Sequence, residues 1–111
     1  GLGFGKGKMV ITCDGPMEMS YEKQYAIFQD NVKVDSQGDQ GTMIADKMTI
    51  TFNSATKQID KMEATGNVKI VRGENTSYSD GAIFTASDKR LVLTGRPKLV
   101  MFTEEGLNVS P

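Results

Sequence analysis

Three features of the sequence predict an all-β domain built of stacked, bent antiparallel strands. Apolar and polar residues alternate with period two from Met9 onward, the pattern of strands with one buried face. Gly, Asn, Asp and Ser fall between the alternating runs, where turns need them. A short strand–kink–strand unit recurs along the chain, as in architectures where each unit covers its neighbour's apolar face.

In chain order, Met17, Met19 and Tyr21 alternate with Glu18 and Ser20, and Glu22-Lys23-Gln24 reads as a turn. Ala26, Phe28, Val32 and Val34 share one parity against Gln29, Asn31 and Lys33. Met48, Ile50 and Phe52 alternate with Lys47, Thr49 and Thr51, and Asn53-Ser54-Ala55-Thr56 reads as the next turn. Met62, Ala64, Val68 and Ile70 repeat the scheme, then Ala82 and Phe84, then Leu91, Leu93, Pro97, Leu99 and Met101. No window of about eleven residues carries a helical stripe. The recurring unit is Asp30-Asn31-Val32-Lys33-Val34, Gly66-Asn67-Val68-Lys69-Ile70 and Gly95-Arg96-Pro97-Lys98-Leu99. Each copy follows a short apolar run, at residues 25–28, 59–64 and 91–93. Gly or Asp at the kink suits a bulge or bend. The expected shape is two sheets facing each other like a folded leaf.

With 111 residues the chain is one domain, near the usual size for a single core. Residues 9–105 are expected to form it, with residues 1–8 a flexible tail and residues 106–111 a second tail or a truncated last strand. Gly1-Leu2-Gly3 reads as the start of a processed or trimmed product. Charges nearly cancel, 13 Lys+Arg against 14 Asp+Glu, and no basic stripe for nucleic acid shows in the sequence. Apolar runs stop at about four residues, far below the roughly 20 that a spanning helix needs. The absence of histidine removes Ser/His, Cys/His and zinc-dependent catalysis, and the single Cys13 excludes an internal disulfide. No cofactor is implied.

Ile44-Ala45-Asp46-Lys47-Met48-Thr49-Ile50, Ala64-Thr65-Gly66-Asn67-Val68-Lys69-Ile70 and Leu91-Val92-Leu93-Thr94-Gly95-Arg96-Pro97-Lys98-Leu99 carry a resemblance. In their order and spacing, from about Ile11 to Met101, the chain resembles the OstA/LptA-like family of periplasmic lipopolysaccharide-transport proteins. The resemblance implies a β-jellyroll, or β-taco, whose interior holds the acyl chains of lipopolysaccharide. It also implies a periplasmic location and end-to-end association with like domains, with a homo-oligomer among the partners. An inner-membrane-anchored LptC-like subunit shares this fold and is the alternative within the family. The sequence departs from the family after Leu99, where few strand-like residues follow.

An acyl chain offers no hydrogen-bonding group, so its site needs a continuous apolar wall. The inward parity supplies Phe28, Val32, Val34, Ile50, Phe52, Met62, Val68, Ile70, Phe84, Leu91, Leu93 and Leu99 as candidate lipid-contacting residues. Met48, Met62 and the other methionines suit a wall that adapts to several chains. The plain alternative is a packed core, and a structural β-repeat with a solid interior stays open beside the carrier. The edges expected to pair with other chains lie at residues 9–13 and 98–103, with Pro16 and Pro97 blunting them locally.

Other signals carry less. Gly1, Gly3, Gly5 and Gly7 do not match a nucleotide fingerprint. Asp35-Ser36-Gln37-Gly38-Asp39, with Asp46 beyond, lacks the Gly and flanking helices of a calcium loop, having Gln40 instead. Cys13 has no basic cluster to activate it. Lys89-Arg90 and Arg96/Lys98 read as solvated strand-end charges, with a place on the path of acidic lipid headgroups or core phosphates as the alternative. A carboxylate-pair enzyme is the weakest reading, because Asp and Glu fall mainly in turns or on the outward parity.

Overall fold

The computed structural model describes residues 8–37 and 41–102. It contains eight strands: β1 (Met9–Thr12), β2 (Met17–Ser20), β3 (Tyr25–Ser36), β4 (Gly41–Asn53), β5 (Gln58–Arg72), β6 (Asn75–Thr85), β7 (Arg90–Thr94) and β8 (Lys98–Val100). No described residue is helical. The expected tails lie outside the described residues, apart from Lys8, as do residues 103–105 of the expected domain and the centre of the calcium-like loop.

The expected pair of facing sheets is instead one continuous eight-stranded antiparallel sheet in the order β1-β3-β4-β5-β6-β7, with β2 also on β3 and β8 also on β6. It is folded along a crease that runs across every strand. β1 and β2 pair with opposite halves of β3, and β7 and β8 with opposite halves of β6. Each short pair therefore acts as one bent strand broken at the crease, with Pro16 and Pro97 in the breaks.

Two kinds of bend alternate along the crease. Asp30-Asn31 in β3, Gly66-Asn67 in β5 and Gly95-Arg96 between β7 and β8 each place two consecutive residues in the left-handed region, with φ of 71° and 51°, 86° and 50°, and 76° and 52°. These are the three copies of the recurring unit. The intervening strands carry Asp14, Asp46 and Asp80 and bend without positive φ. Asn31 Nδ2 donates to Asp14 Oδ2 at 2.8 Å, and Asn67 Nδ2 to Asp46 Oδ2 at 3.0 Å. Arg96 donates from Nε and Nη2 to the two oxygens of Asp80, at 3.2 and 3.1 Å. Asp80's hydrogen bonds and charge hold the Arg96 pKa above its ordinary value. The crease is thus a ladder of three cross-strand clasps.

The bends also decide which residues face inward. In β3 and β5 the inward set runs from Phe28 to Val32 and from Ala64 to Val68, keeping its parity across the crease. In β4 and β6 it steps from Ala45 to Met48 and from Ser79 to Ala82, so the parity reverses. The core that results is Ala26, Phe28, Val32, Val34, Met43, Ala45, Met48, Ile50, Met62, Ala64, Val68, Ile70, Ala82 and Phe84, each 6% exposed or less. Burying a side chain such as Phe84 or Ile50 is worth roughly 1.5–3 kcal/mol.

Candidate functional site: an apolar trough with two open ends

Residues directly opposite one another on paired strands point to the same face, so the register lays out the inner surface in rows. One wing carries Met17, Phe28, Met48, Ala64, Ala82 and Leu93 in one row, and Met19, Ala26, Ile50, Met62, Phe84 and Leu91 in the next. The other wing carries Ile11, Val34, Met43, Ile70, Ser77 and Leu99. These rows run across the strands and therefore parallel to the crease. They form a nearly unbroken apolar lining from one end of the sheet to the other.

Exposure along those rows divides the trough into a closed middle and two open mouths. Phe28, Val32, Val34, Ile50, Met62, Val68, Ile70 and Phe84 are buried, while Phe52 and Leu93 are half-buried. Leu91 is exposed although it pairs with Phe84 on the inner face. Leu99, opposite inward Ser77, is 58% exposed. At the other end Met17 and Met19 lie opposite Phe28 and Ala26 on the inner face, and Met17 is 52% exposed. An inward side chain is exposed there because, among the described residues, no further strand covers it. Eleven of the twelve residues expected from alternation thus lie on one inner surface, while Phe52 stands half-buried beyond a register shift at the end of β4.

Sequence reasoning left Ala26, Met43, Ala45, Ala64 and Ala82 off the candidate set, and it named Met48, and Met17 and Met19 among the other methionines, only as suited to an adaptable wall. Met43 and Ala45 fall on the opposite numerical parity from Met48 because Asp46 and Lys47 both face out. The Asp of each crease clasp was the available signal. The alanines are buried in the core among larger apolar side chains.

The trough offers little polar chemistry. Among the described residues the buried polar ones are Ser36 and Ser79, and the Ser79 hydroxyl donates to the Gly81 carbonyl at 2.8 Å. No described Asp or Glu is buried, so paired inward carboxylates are missing from the described surface. No group of acidic, Cys or His residues among those described could hold a metal. Cys13 is half-buried, with Sγ 3.4 Å from the Gly15 carbonyl. The Tyr25 hydroxyl donates to Glu18 at 2.8 Å, and that bond raises the Tyr25 pKa. No helix of the described residues is long and apolar enough to cross a membrane.

The family model described as "LptA/(LptD N-terminal domain) LPS transport protein" matches residues 11–109. The chain belongs to this family. The match takes in every strand except the first two residues of β1. It therefore includes the crease, both wings and both mouths of the LptA/LptD N-terminal-type domain. No curated protein matches the chain. Among solved structures, the chain is similar to LptH from Pseudomonas aeruginosa, described as the LptA homologous periplasmic component of the lipopolysaccharide transport device. That likeness has 10% identity and a TM-score of 0.47, and covers 87% of this chain and 96% of the other.

Proposed function

We propose that this domain is a periplasmic lipopolysaccharide-transport module that shelters acyl chains in its trough and passes them on by end-to-end pairing with like domains. Membership of the lipopolysaccharide-transport family supports the reading. The observation that carries it is the row of inward yet exposed apolar residues at both mouths. Met17 and Met19 at one end, and Leu91 and Leu99 at the other, continue the buried rows out to solvent. A methylene withdrawn from water there gains about 0.8 kcal/mol. A tail of about a dozen carbons gains roughly 10 kcal/mol before ordering costs. Among the described residues the same ends are sheet edges, and an edge leaves backbone groups that another strand can satisfy.

The closed middle favours a second reading, a structural β-repeat with a dry, solid core. One experiment separates them. Purified protein is titrated with a fluorescent fatty acid and then with lipopolysaccharide as competitor. As a carrier, the protein binds the probe saturably and releases it to lipopolysaccharide, and Leu91→Asp or Leu99→Asp weakens uptake at least tenfold. These positions are exposed, so the variants keep the native circular dichroism spectrum. Phe84→Asp is uninformative here, because a carboxylate at that buried site unfolds the sheet. A folded wild-type protein that takes up neither ligand supports the solid-core reading.

A further inference from the structure

The outer face of one wing bears a feature that the trough does not use. Strand register places Lys69, Tyr78 and Lys98 side by side on β5, β6 and β8. Both ammonium groups lean over the one ring, Lys98 Nζ at 5.5 Å and Lys69 Nζ at 6.0 Å from its centroid. Beside them the crease opens into a concavity of about 510 Å³, whose lining also includes Asn67, Asp80 and Arg96.

Charge is unbalanced at this spot. Three cations and one carboxylate line the concavity, in a chain whose formal net charge is -1. The single carboxylate, Asp80, is held by both arms of Arg96, and nearby Asp46 accepts from Asn67. Neither lysine has an ion-pair partner among the described residues. The sheet therefore holds two unneutralised ammonium groups around a phenol that can itself donate a hydrogen bond.

We propose that this concavity is a second site, independent of the trough, that takes a phosphate monoester carried on a sugar or on a lipid headgroup. Two mobile point charges suit a compact dianion. The planar fork that would favour a carboxylate is already spent on Asp80. The concavity is larger than a phosphate alone, which leaves room for the body that bears it. Because the ammonium groups are exposed, binding falls as salt rises.

The test uses isotope-labelled full chain titrated with glucosamine 1-phosphate and, in parallel, sedimentation with phosphatidylcholine vesicles containing phosphatidic acid. The expected result is a saturable shift of the Lys69, Tyr78 and Lys98 amide signals, or vesicle binding, that the double variant Lys69→Gln/Lys98→Gln weakens at least tenfold. Unphosphorylated glucosamine leaves the signals unchanged, and Lys47→Gln/Lys61→Gln binds as wild type. A response to the sugar phosphate identifies a saccharide source, and one to vesicles alone a headgroup source; either supports the site. Fatty-acid uptake by Lys69→Gln/Lys98→Gln stays at the wild-type level, which keeps this test separate from that of the trough. The proposal is overturned if neither reagent engages the row, or if the double variant binds both as tightly as wild type.

Discussion

At Gly66 the chain turns through a φ of 86°, and a Cβ built there would sit 2.4 Å from an Asp46 carboxylate oxygen. Both costs fall on one atom: left-handed backbone strain and displacement of the carboxylate that Asn67 clasps. Gly66→Ala is expected to cost about 2–4 kcal/mol, seen as a melting temperature lowered by roughly 8–20 °C for a domain of this size. Gly73 also has positive φ, but its Cβ would meet nothing within 4 Å. Gly73→Ala should thus show only the backbone part, about 1 kcal/mol. Thermal unfolding of the two variants side by side separates strain from steric conflict. The Tyr25–Glu18 bond gives a prediction in pH. Because the folded phenol holds its proton above its ordinary pKa, its stabilising effect is complete below the unfolded pKa and is lost as pH rises through the folded one. The bond should therefore be indifferent to pH through the neutral range and fail only in strongly alkaline solution. Glu18→Gln should bring the phenol's midpoint down, as followed by the Tyr25 ring-carbon resonance.

The strands differ in how openly their sequences declared them. β3 and β5 were legible because their two left-handed residues leave an even step between Phe28 and Val32 and between Ala64 and Val68. A reader of alternation crosses the crease there without losing count. β4 and β6 take an odd step, so the same rule assigns Met43, Ala45 and Ser79 to the wrong face. Alternation is a local rule, and a bend in the backbone resets it without any change in composition. The continuity of the sheet was hidden for a related reason: hydrophobic parity says which face is covered, not whether the cover is a second sheet or the same one folded over. What the apolar pattern did give was the lining itself, since eleven of the twelve expected residues lie on it, all but Phe52. At the edge, β1 offers one side of its backbone to β3 and has no strand on the other among the described residues. Met9→Pro removes an N–H from the outer side of this strand: the Gln37 N–H donates to the Lys8 carbonyl at 2.9 Å, so Lys8 and Val10 turn their backbone groups toward β3 and Met9 turns its own away. It should weaken the end-to-end pairing proposed above, as read by light scattering, while the melting temperature changes by only a few degrees, because Met9 opens the strand and is only half-buried.

Across the whole molecule, stability and access are divided along the axis of the trough. β4 and β5 have a strand on both sides, whereas the β1/β2 and β7/β8 layers have one. Backbone amides of the central strands should exchange with solvent at the rate set by global unfolding, and those of the end layers much faster. Met48→Ala, at a side chain with no solvent exposure, should cost about 2–5 kcal/mol through the cavity it leaves. Met17→Ala, at the mouth, should cost well under half of that. On the proposed carrier reading, adding fatty acid to the exchange experiment should slow the end layers first, since tails would meet those exposed apolar surfaces before any part of the closed middle.

The order of the bends has a consequence for how such domains can join. Reading across the sheet, Asp-bearing and left-handed bends alternate without exception, beginning with Asp14 in the β1/β2 layer and ending with Gly95-Arg96 in the β7/β8 layer. Every clasp ties a left-handed bend to the Asp bend just before it, so the sheet is three clasped couples laid side by side. A second copy set head to tail would bring its Asp14 layer next to the first copy's Arg96 layer. That seam would have the same make-up as the internal seams between couples, where β3 meets β4 and β5 meets β6. Copies joined in this way would continue one rhythm of bends, and the length of the resulting filament would be set by how many copies are present rather than by anything in the joint.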